Sequence, residues 1–143
     1  LFQDHFVAVV RPGHPLCEGI LTAPRYAAAR HILVSRRGLE QGPIDEALAH
    51  LGLVRTAATL VPGFATALAL VRGSDLVATV PERHCAALHA DLVALPLPFP
   101  LPGIRVALIW HPSQDADPAH RWLRTLIRET CAQAPYGGET RAT

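Results

Sequence analysis

The sequence contains no lysine and no methionine, and charged residues make up only 17% of it. Thirteen arginines are balanced by twelve acidic residues, which gives a formal net charge of +1. Proteins that bind nucleic acid through their own surface usually carry a clustered excess of basic residues. The arginines here are scattered along the chain, so the composition argues against direct DNA binding.

Cysteine is scarce, and its spacing argues against a disulfide framework. Cys17, Cys85 and Cys131 form no Cys-x-x-Cys pair, and an odd number leaves at least one thiol unpaired. The first residues lack the basic and apolar regions of a signal peptide. No apolar run approaches the roughly 20 residues that a membrane-spanning helix needs. We therefore expect reduced thiols, no membrane partner and a cytoplasmic location.

Phosphate-binding loops and catalytic motifs are also missing. Neither Gly-x-x-x-x-Gly-Lys nor Gly-x-Gly-x-x-Gly occurs. Ser74 lacks the Gly-x-Ser-x-Gly frame of a nucleophile elbow, and it follows a helix, where the dipole disfavours an oxyanion. Cys85 and His89 lie four residues apart, as in some metal sites, but no second cluster with ligand spacing accompanies them. We expect neither enzymatic activity nor a metal or cofactor.

Apolar residues account for half of the 143 residues, enough for a globular domain with a core. Strand-like and helix-like segments alternate, which predicts an α/β sheet covered by helices on both faces. The predicted strands include residues 5–10 (HFVAVV), 31–35 (HILVS), 92–95 and 104–110 (IRVALIW). The predicted helices include residues 23–30 and 81–90, a helix that begins at Pro43 and is closed by Gly52, and a last helix from Pro118.

Residues 53–81 (LVRTAATLVPGFATALALVRGSDLVATVP) are the most informative segment. They predict a strand, a Pro-Gly-Phe break, an apolar helix, a Gly-Ser-Asp turn and a second strand. The start of a helix leaves backbone N–H groups without intrahelical acceptors, so we expect free donors near residues 63–66. No catalytic side chain accompanies them. The unit is typical of a site that holds a small molecule without transforming it.

Two side chains near this unit are candidates for ligand contact, and each has a structural alternative. Ser35 ends a predicted strand at the same edge of the sheet, where its hydroxyl binds either a ligand or its own loop. Phe64 forms either an apolar wall beside the ligand or part of the core. With Leu60, and with few charges nearby, Phe64 suits an aromatic or small carboxylated compound. The sequence leaves these alternatives open.

The last helix has a clear amphipathic pattern. Asp117 is predicted to cap it and Pro118 to occupy its first position. Its apolar side chains form one stripe, which predicts a buried face, while three arginines are expected on the solvent side. The stripe comprises Ala119, Trp122, Leu123, Leu126, Ile127 and Cys131, and the arginines are Arg121, Arg124 and Arg128.

Three segments resemble the effector-binding region of LysR-type transcriptional regulators. LFQDHFVAVVRPGHPL resembles the strand that crosses into that family's second regulatory subdomain, with the His-Pro-Leu turn after it. VPGFATALALVRGSDLVATVPERH is similar to a helix and the following strand, and LIWHPSQDADPAHRWLRTLIRE is similar to the returning strand and last helix. The three occur in order over residues 1–129. HILVSRRG and DADPAHRWLR most resemble the branch that includes nodulation and aromatic-catabolism regulators.

The resemblance implies a periplasmic-binding-protein-like α/β fold of type II, with one complete subdomain and the C-terminal part of the other. Its implied divisions are a crossing strand at 1–10, regulatory subdomain II at 11–90, the C-terminal part of subdomain I at 91–132 and a disordered tail at 133–143. The implied effector-binding residues are Ser35, Pro62, Gly63, Phe64 and Thr66.

The resemblance also implies partners. A small-molecule effector, aromatic or carboxylated, would bind in the cleft, and the parent protein would form homo-oligomers. DNA would be bound only through an N-terminal helix-turn-helix domain that this sequence lacks, so we expect the sequence to be part of a longer protein. One alternative is a stand-alone solute-binding protein of the same architecture. Another is a small hydrolase that uses Cys85 with a neighbouring histidine.

Overall fold

The computed structural model describes residues 1–39 and 41–133. Over these residues the strands are β1 (Phe2–Asp4), β2 (Phe6–Val10), β3 (Arg30–Val34), β4 (Thr56–Val61), β5 (Leu76–Pro81), β6 (Val93–Pro96) and β7 (Ile104–Val106). The α-helices are α1 (Ala23–Ala28), α2 (Pro43–His50), α3 (Phe64–Arg72), α4 (Glu82–Cys85) and α5 (Pro118–Gln133). The predicted tail at 133–143 lies outside the described residues, except for Gln133 at the end of α5.

Five strands form one sheet in the order β4-β3-β5-β2-β6. β3 runs parallel to both β4 and β5, whereas β2 is antiparallel to β5 and β6. The parallel strands β3, β4 and β5 therefore end at the same edge of the sheet, which is where α/β proteins usually bind ligands. β1 and β7 form a separate antiparallel pair. The α/β class predicted from the alternating segments is confirmed.

The five-stranded sheet extends beyond the predicted subdomain of residues 11–90 at both ends. β2 precedes that range and lies next to β5, while β6 follows it and forms one edge of the sheet. A division of the chain into two subdomains stays a prediction.

Helices cover both faces of the five-stranded sheet. On one face, α3 packs Leu68 and Val71 into a cluster with Ile32 of β3. On the other face, Tyr26 of α1 and Leu48 of α2 belong to a second cluster. All five side chains are at most 2% exposed. Burying each large apolar side chain contributes about 1.5–3 kcal/mol, so the two clusters hold the sheet and helices together.

Local sequence signals set the boundaries of α1 and α2. The Thr22 hydroxyl accepts a hydrogen bond from the Arg25 N–H at 3.4 Å, which caps α1. At α2, the Asp45 carboxylate accepts a hydrogen bond from the Gly42 N–H at 2.9 Å. Gly52 adopts a φ of +69° just after α2, a conformation that glycine reaches without strain. The predicted role of Gly52 is confirmed.

The chain passes between the two sheets at Asp4 and His5, and a buried carboxylate anchors this crossing. Asp4 is 5% exposed and accepts hydrogen bonds from the backbone N–H groups of His5 (2.8 Å), Arg83 (2.9 Å) and His84 (3.0 Å). The last two groups belong to the first turn of α4, where a carboxylate supplies the missing acceptors. The Glu82 N–H donates to the His5 carbonyl at 2.9 Å. The crossing is thereby tied to the end of β5.

Arg83 connects the same point to the smaller sheet and to α5. Its guanidinium lies 4.2 Å from the centre of the Phe2 ring, and it donates a hydrogen bond to the Cys131 carbonyl. A guanidinium over an aromatic face is attracted by the ring quadrupole. Arg83 therefore joins β1, α4 and the C-terminal part of α5.

Several elements are shorter than predicted. The strand expected over residues 104–110 ends at Val106, because β1 offers it only three residues for pairing. The helix expected over residues 81–90 leaves the α-helical geometry after Cys85 and continues as a 3-10 turn, Ala86–Leu88. The helix expected over residues 23–30 ends at Ala28, since Arg30 already pairs in β3.

The predicted burial of α5 is wrong, although its start is as expected. Asp117 accepts a hydrogen bond from the His120 N–H at 2.7 Å and so caps the helix. Of the apolar stripe predicted to be buried, Trp122, Leu123 and Leu126 are 66%, 45% and 43% exposed. Arg121 and Arg128 are exposed as predicted, whereas Arg124 is only 6% exposed.

Arg124 is buried because the loop before α5 surrounds it. Its guanidinium donates to the carbonyls of Gln114 and Asp115, both at 2.9 Å, and lies 4.5 Å from the centre of the Trp110 ring. Backbone acceptors and an aromatic face together compensate for removing this charge from water.

None of the helices in the described residues has the length and apolar character needed to cross a membrane.

Candidate functional site

A cavity of about 260 Å³ opens where β3 ends. β3 contributes Ile32, Leu33 and Val34, and α3 contributes Phe64. Phe6 of β2 also lines the cavity, so its apolar walls come from three separated parts of the sequence. The loop after β3 and the first turn of α2 also contribute to the lining. This position, at the ends of the parallel strands, is the one that the topology predicts for a ligand.

A partly buried ion pair contributes two charged groups to the lining of the cavity. Arg55 donates to both carboxylate oxygens of Asp45, at 2.7 and 2.8 Å, and the two side chains are 6% and 22% exposed. Burial alone would raise the pKa of Asp45, but the hydrogen bonds and charge of Arg55 outweigh it and lower that pKa. Both side chains therefore stay ionised, and their opposite charges give the pair a net charge of zero. The expectation of few charges near Phe64 is wrong, because Arg55 and Asp45 line the same cavity.

Thr79 is the cavity residue that connects to the buried groups behind it. Its hydroxyl lies 2.7 Å from the hydroxyl of Tyr26, which is fully buried. The Tyr26 carbonyl lies 2.8 Å from Nε2 of His31, and the two rings are 4.5 Å apart. Burial lowers the pKa of His31 to about 4, so its imidazole is neutral at pH 7. Behind Thr79, the uncharged side chains of Tyr26 and His31 thus form a buried hydrogen-bonded group.

Two of the five residues predicted to contact a ligand line this cavity. They are Ser35, directly after β3, and Phe64, the first residue of α3. Pro62 and Thr66 are exposed and Gly63 is half-buried, and none of these three belongs to the cavity lining. The structure therefore places Ser35 and Phe64 in the lining of the same cavity. The other three residues lie at the start of α3, outside that lining.

Both alternatives weighed for Ser35 and Phe64 are compatible with the structure. The Ser35 Oγ accepts a hydrogen bond from the Leu39 N–H at 2.9 Å, so it does bond its own loop. Accepting that bond leaves the hydroxyl proton available to the cavity. Phe64 packs against the core cluster under α3, with its ring edge-on to His84 at 6.1 Å, and it also forms a cavity wall.

The start of α3 carries the predicted free backbone donors. The Ala67 N–H donates to the Gly63 carbonyl at 3.2 Å and closes the first turn. The N–H groups of residues 64–66 precede that bond and have no intrahelical acceptor. Gly63 offers no side chain to cap them. Phe64 brings this end of α3 to the rim of the cavity.

Most of the cavity lining was not predicted from the sequence, including Phe6, Asp45, Arg55 and Thr79. Phe6 and Thr79 lie far from Ser35 in sequence, and pairing within the sheet brings them near it. The usable signal was Thr79, because a polar residue on a buried face of the apolar strand LVATVP needs a partner. Asp45 gave no comparable signal, because acidic residues are common near the start of a helix.

Cys85 has none of the properties of a nucleophile. It is fully buried, and burial together with the nearby Asp4 carboxylate raises its pKa to about 11. Within the described residues, no group of three or more histidine, cysteine and acidic side chains is arranged to hold a metal ion. Cys85 is therefore not an activated thiol.

Thiol modification tests this assignment. With a thiol-specific reagent at about pH 8, fewer than roughly one in a hundred Cys85 side chains are thiolate, so we expect slow reaction in the folded protein. The half-buried Cys17 and Cys131 should react first. The measurement is mass spectrometry of timed samples, with a Cys85→Ser variant as control and urea-unfolded protein as the fully reactive reference. Rapid labelling of Cys85 in folded protein would contradict the prediction.

Comparison with known proteins identifies the chain. The family model described as the LysR substrate binding domain matches residues 1–132. The HTH-type transcriptional activator NahR of Pseudomonas putida is 35% identical over 129 residues, which cover 89% of this chain and 43% of NahR. The chain therefore spans less than half the length of this curated relative.

Solved structures show the same fold. The regulatory domain of MexT, a transcriptional activator in Pseudomonas aeruginosa, is similar with a TM-score of 0.76 and 35% identity, covering 90% of this chain and 64% of that chain. The effector binding domain of QuiR, solved in complex with shikimate, is similar with a TM-score of 0.59 and 19% identity over 87% of this chain and 64% of that chain. The chain belongs to the LysR substrate-binding-domain family and has its periplasmic-binding-protein-like fold of type II.

Proposed function

We propose that this domain senses a small organic molecule, aromatic or carboxylated, that binds in the cavity at the end of β3. The observation that supports this best is the lining itself. Apolar walls that include Phe6 and Phe64 surround a few polar groups, with the Arg55–Asp45 pair among them. Sites of this composition hold a small ligand by apolar contact and orient it by a few polar groups.

The size of the cavity favours a compact occupant. Its volume of about 260 Å³ lies just below the usual range for ligand pockets, roughly 300–1,000 Å³. A single-ring compound fits this volume better than a nucleotide or a peptide. QuiR, whose likeness to this chain extends to the fold only, holds the carboxylated ring compound shikimate in its effector binding domain. An occupant of that size suits the cavity at the end of β3.

Within the proposed effector site, the five residues have different roles. Ser35 offers a hydroxyl and Phe64 an apolar wall directly to the cavity. The start of α3 has free N–H groups that attract acceptor atoms. Pro62 and Gly63 directly precede this helix, and Thr66 lies in its first turn. Effector binding there would favour one arrangement of the domain over another, which is how a ligand shifts a conformational equilibrium.

The longer protein that carries this domain is proposed to be a cytoplasmic, homo-oligomeric transcription regulator. Its DNA-binding element would lie outside these 143 residues, as the 43% coverage of NahR suggests. The effector's differential affinity for two domain arrangements would then bias distant DNA-binding elements, by about 1–3 kcal/mol in typical allosteric proteins. The domain itself is proposed to have no catalytic role, since its ligand site contains no activated nucleophile.

Ligand titration tests the proposal. We expect benzoate or shikimate at millimolar concentration to raise the melting temperature, because a ligand that binds only the folded state stabilises it. Chemical-shift changes in ¹H–¹⁵N NMR spectra should map to Val34, Ser35 and Phe64. The Phe64→Ala variant should bind about tenfold more weakly, because it loses one apolar wall.

Leu126→Ala is the matched control, since Leu126 is 43% exposed on α5 and does not line the cavity. It should bind as the unmodified protein does. If no compound in a panel of aromatic and alicyclic acids shifts resonances around the cavity, the proposed function is wrong. Upstream coding sequence without a DNA-binding region would instead favour a stand-alone binding protein.

A further inference from the structure

Thr79 occupies an unusual place in the cavity, because it is a buried polar residue within an apolar strand. It is 6% exposed and lies on β5 between Ala78 and Val80, both fully buried. Its hydroxyl is 2.7 Å from the Tyr26 hydroxyl, and Tyr26 does not line the cavity. Thr79 is therefore the member of this buried hydrogen-bonded pair that lines the cavity.

The direction of this hydrogen bond follows from the chemistry of its two hydroxyl groups. Burial raises the pKa of Tyr26, and its hydrogen bond with Thr79 and the nearby Arg55 guanidinium oppose that rise only in part. The phenol is therefore protonated at neutral pH. A phenol is a stronger hydrogen-bond donor and a weaker acceptor than the aliphatic hydroxyl of threonine. The phenol proton is then directed to Thr79.

A hydroxyl that accepts one hydrogen bond still has its own proton to donate. For Thr79 the accepted bond comes from Tyr26, which leaves the Thr79 proton for the cavity side. The neighbouring polar groups of the lining have the same preference. The Ser35 hydroxyl already accepts from its own loop, and Arg55 can only donate. The Asp45 carboxylate is an acceptor, but both of its oxygens already accept hydrogen bonds from Arg55. The hydrogen-bonding capacity left for a ligand is thus mainly that of donors.

We infer that Thr79 donates a hydrogen bond to the occupant of the cavity and selects a molecule with an acceptor group beside an apolar ring. The acceptor is a carboxylate or another oxygen with no proton to offer in that direction. Tyr26 acts as a positioning residue, because it fixes the direction of the Thr79 hydroxyl without touching the ligand. This inference rests on the proposed function, in which the cavity binds a small organic molecule.

Two probes of equal size and opposite hydrogen-bonding character test the selection. Benzoate presents acceptors only, whereas benzylamine presents an ammonium group with donors only. Binding to the full 143-residue chain is measured by ¹H–¹⁵N NMR titration, with resonances of Ser35 and Thr79 as the local readout. Benzoate should bind at least about tenfold more tightly than benzylamine, the ratio expected for one charge-assisted hydrogen bond.

Substitutions at Thr79 separate its hydroxyl from the rest of the cavity. Thr79→Val keeps the shape and removes the donor, so benzoate should bind about tenfold more weakly. Thr79→Ser restores the hydroxyl and should bind benzoate within about threefold of the original protein. Tyr26→Phe keeps the Thr79 hydroxyl but frees its direction, so it should weaken benzoate binding less than Thr79→Val.

A folding defect is controlled by the double variant Tyr26→Phe/Thr79→Val, which leaves neither buried hydroxyl without a partner. It should fold and show the same loss of benzoate binding as Thr79→Val. If Thr79→Val and the double variant bind benzoate as tightly as the original protein, with shifts still at Ser35, the donor role is overturned and the proposed function stands. If benzoate and every other acid of the panel leave the cavity resonances unchanged, both proposals are overturned.

Discussion

Replacing Asp4 with alanine is expected to lower the free energy of unfolding by about 3 kcal/mol, because three backbone donors lose a charged acceptor at once. The carboxylate is 5% exposed and accepts from His5, Arg83 and His84, all within 3.0 Å. Two of these donors begin α4, which has only four residues and so depends on its cap. Urea unfolding followed by circular dichroism measures the loss.

Asp75→Ala is the matched control for Asp4→Ala. The Asp75 carboxylate also accepts a hydrogen bond, from Arg11 at 2.7 Å, but it is 70% exposed. Its removal should cost less than about 1 kcal/mol, as is usual for surface ion pairs. Amide hydrogen exchange adds a local readout, since Arg83 and His84 should lose protection in Asp4→Ala. Equal stability of the two variants would show that the crossing does not depend on Asp4.

The stability of the domain is expected to fall by about 2 kcal/mol between about pH 7.5 and pH 5, because His31 cannot accept a proton without disrupting its surroundings. The side chain is fully buried, and this burial, with the neighbouring Arg55 charge, holds the pKa at about 4 instead of 6.5. The backbone hydrogen bond to Tyr26 and the Asp45 carboxylate oppose the shift without reversing it.

The sign follows from proton binding by the two states. Between about pH 6.5 and pH 4 the unfolded chain binds a proton at His31 and the folded chain does not, so acid favours unfolding. The stabilisation is complete above about pH 6.5 and is lost progressively down to pH 4. Urea unfolding at a series of pH values measures the slope.

His31→Gln provides the control for this pH dependence, since glutamine does not titrate. The variant should be less stable at neutral pH, where it loses the ring packing on Tyr26 at 4.5 Å. Its stability should change little between about pH 7.5 and pH 5, because the titrating imidazole is gone. A slope equal to that of the original protein would show that His31 is not the group responsible.

Much of the fold could be predicted from local sequence. The Pro-Gly-Phe break predicted the start of α3, and Asp117 the start of α5, because caps act within one helical turn. Gly52 marked the end of α2 through its positive φ. The length of β7 could not be predicted, since it is set by the three residues of β1 paired with it. Its apolar continuation, residues 107–110, has no strand partner among the described residues.

The exposed face of α5 shows where periodicity fails. The spacing of Trp122 and Leu126 indicates an apolar face correctly, but only a neighbouring element can bury it. Arg124 became buried because loop carbonyls and Trp110 enclose its charge. Burial is a property of the partner as well as of the helix.

For the candidate site too, some features follow from local sequence and others only from the tertiary structure. The sequence by itself determined the α/β class, the family resemblance and the placement of Ser35 and Phe64 near strand and helix ends, since these depend on short-range pattern. Only the tertiary structure placed Arg55, Asp45 and Thr79 in the same cavity. The physical reason is that sheet pairing and helix packing join residues far apart in the chain, and hydrogen-bond partners form across those contacts.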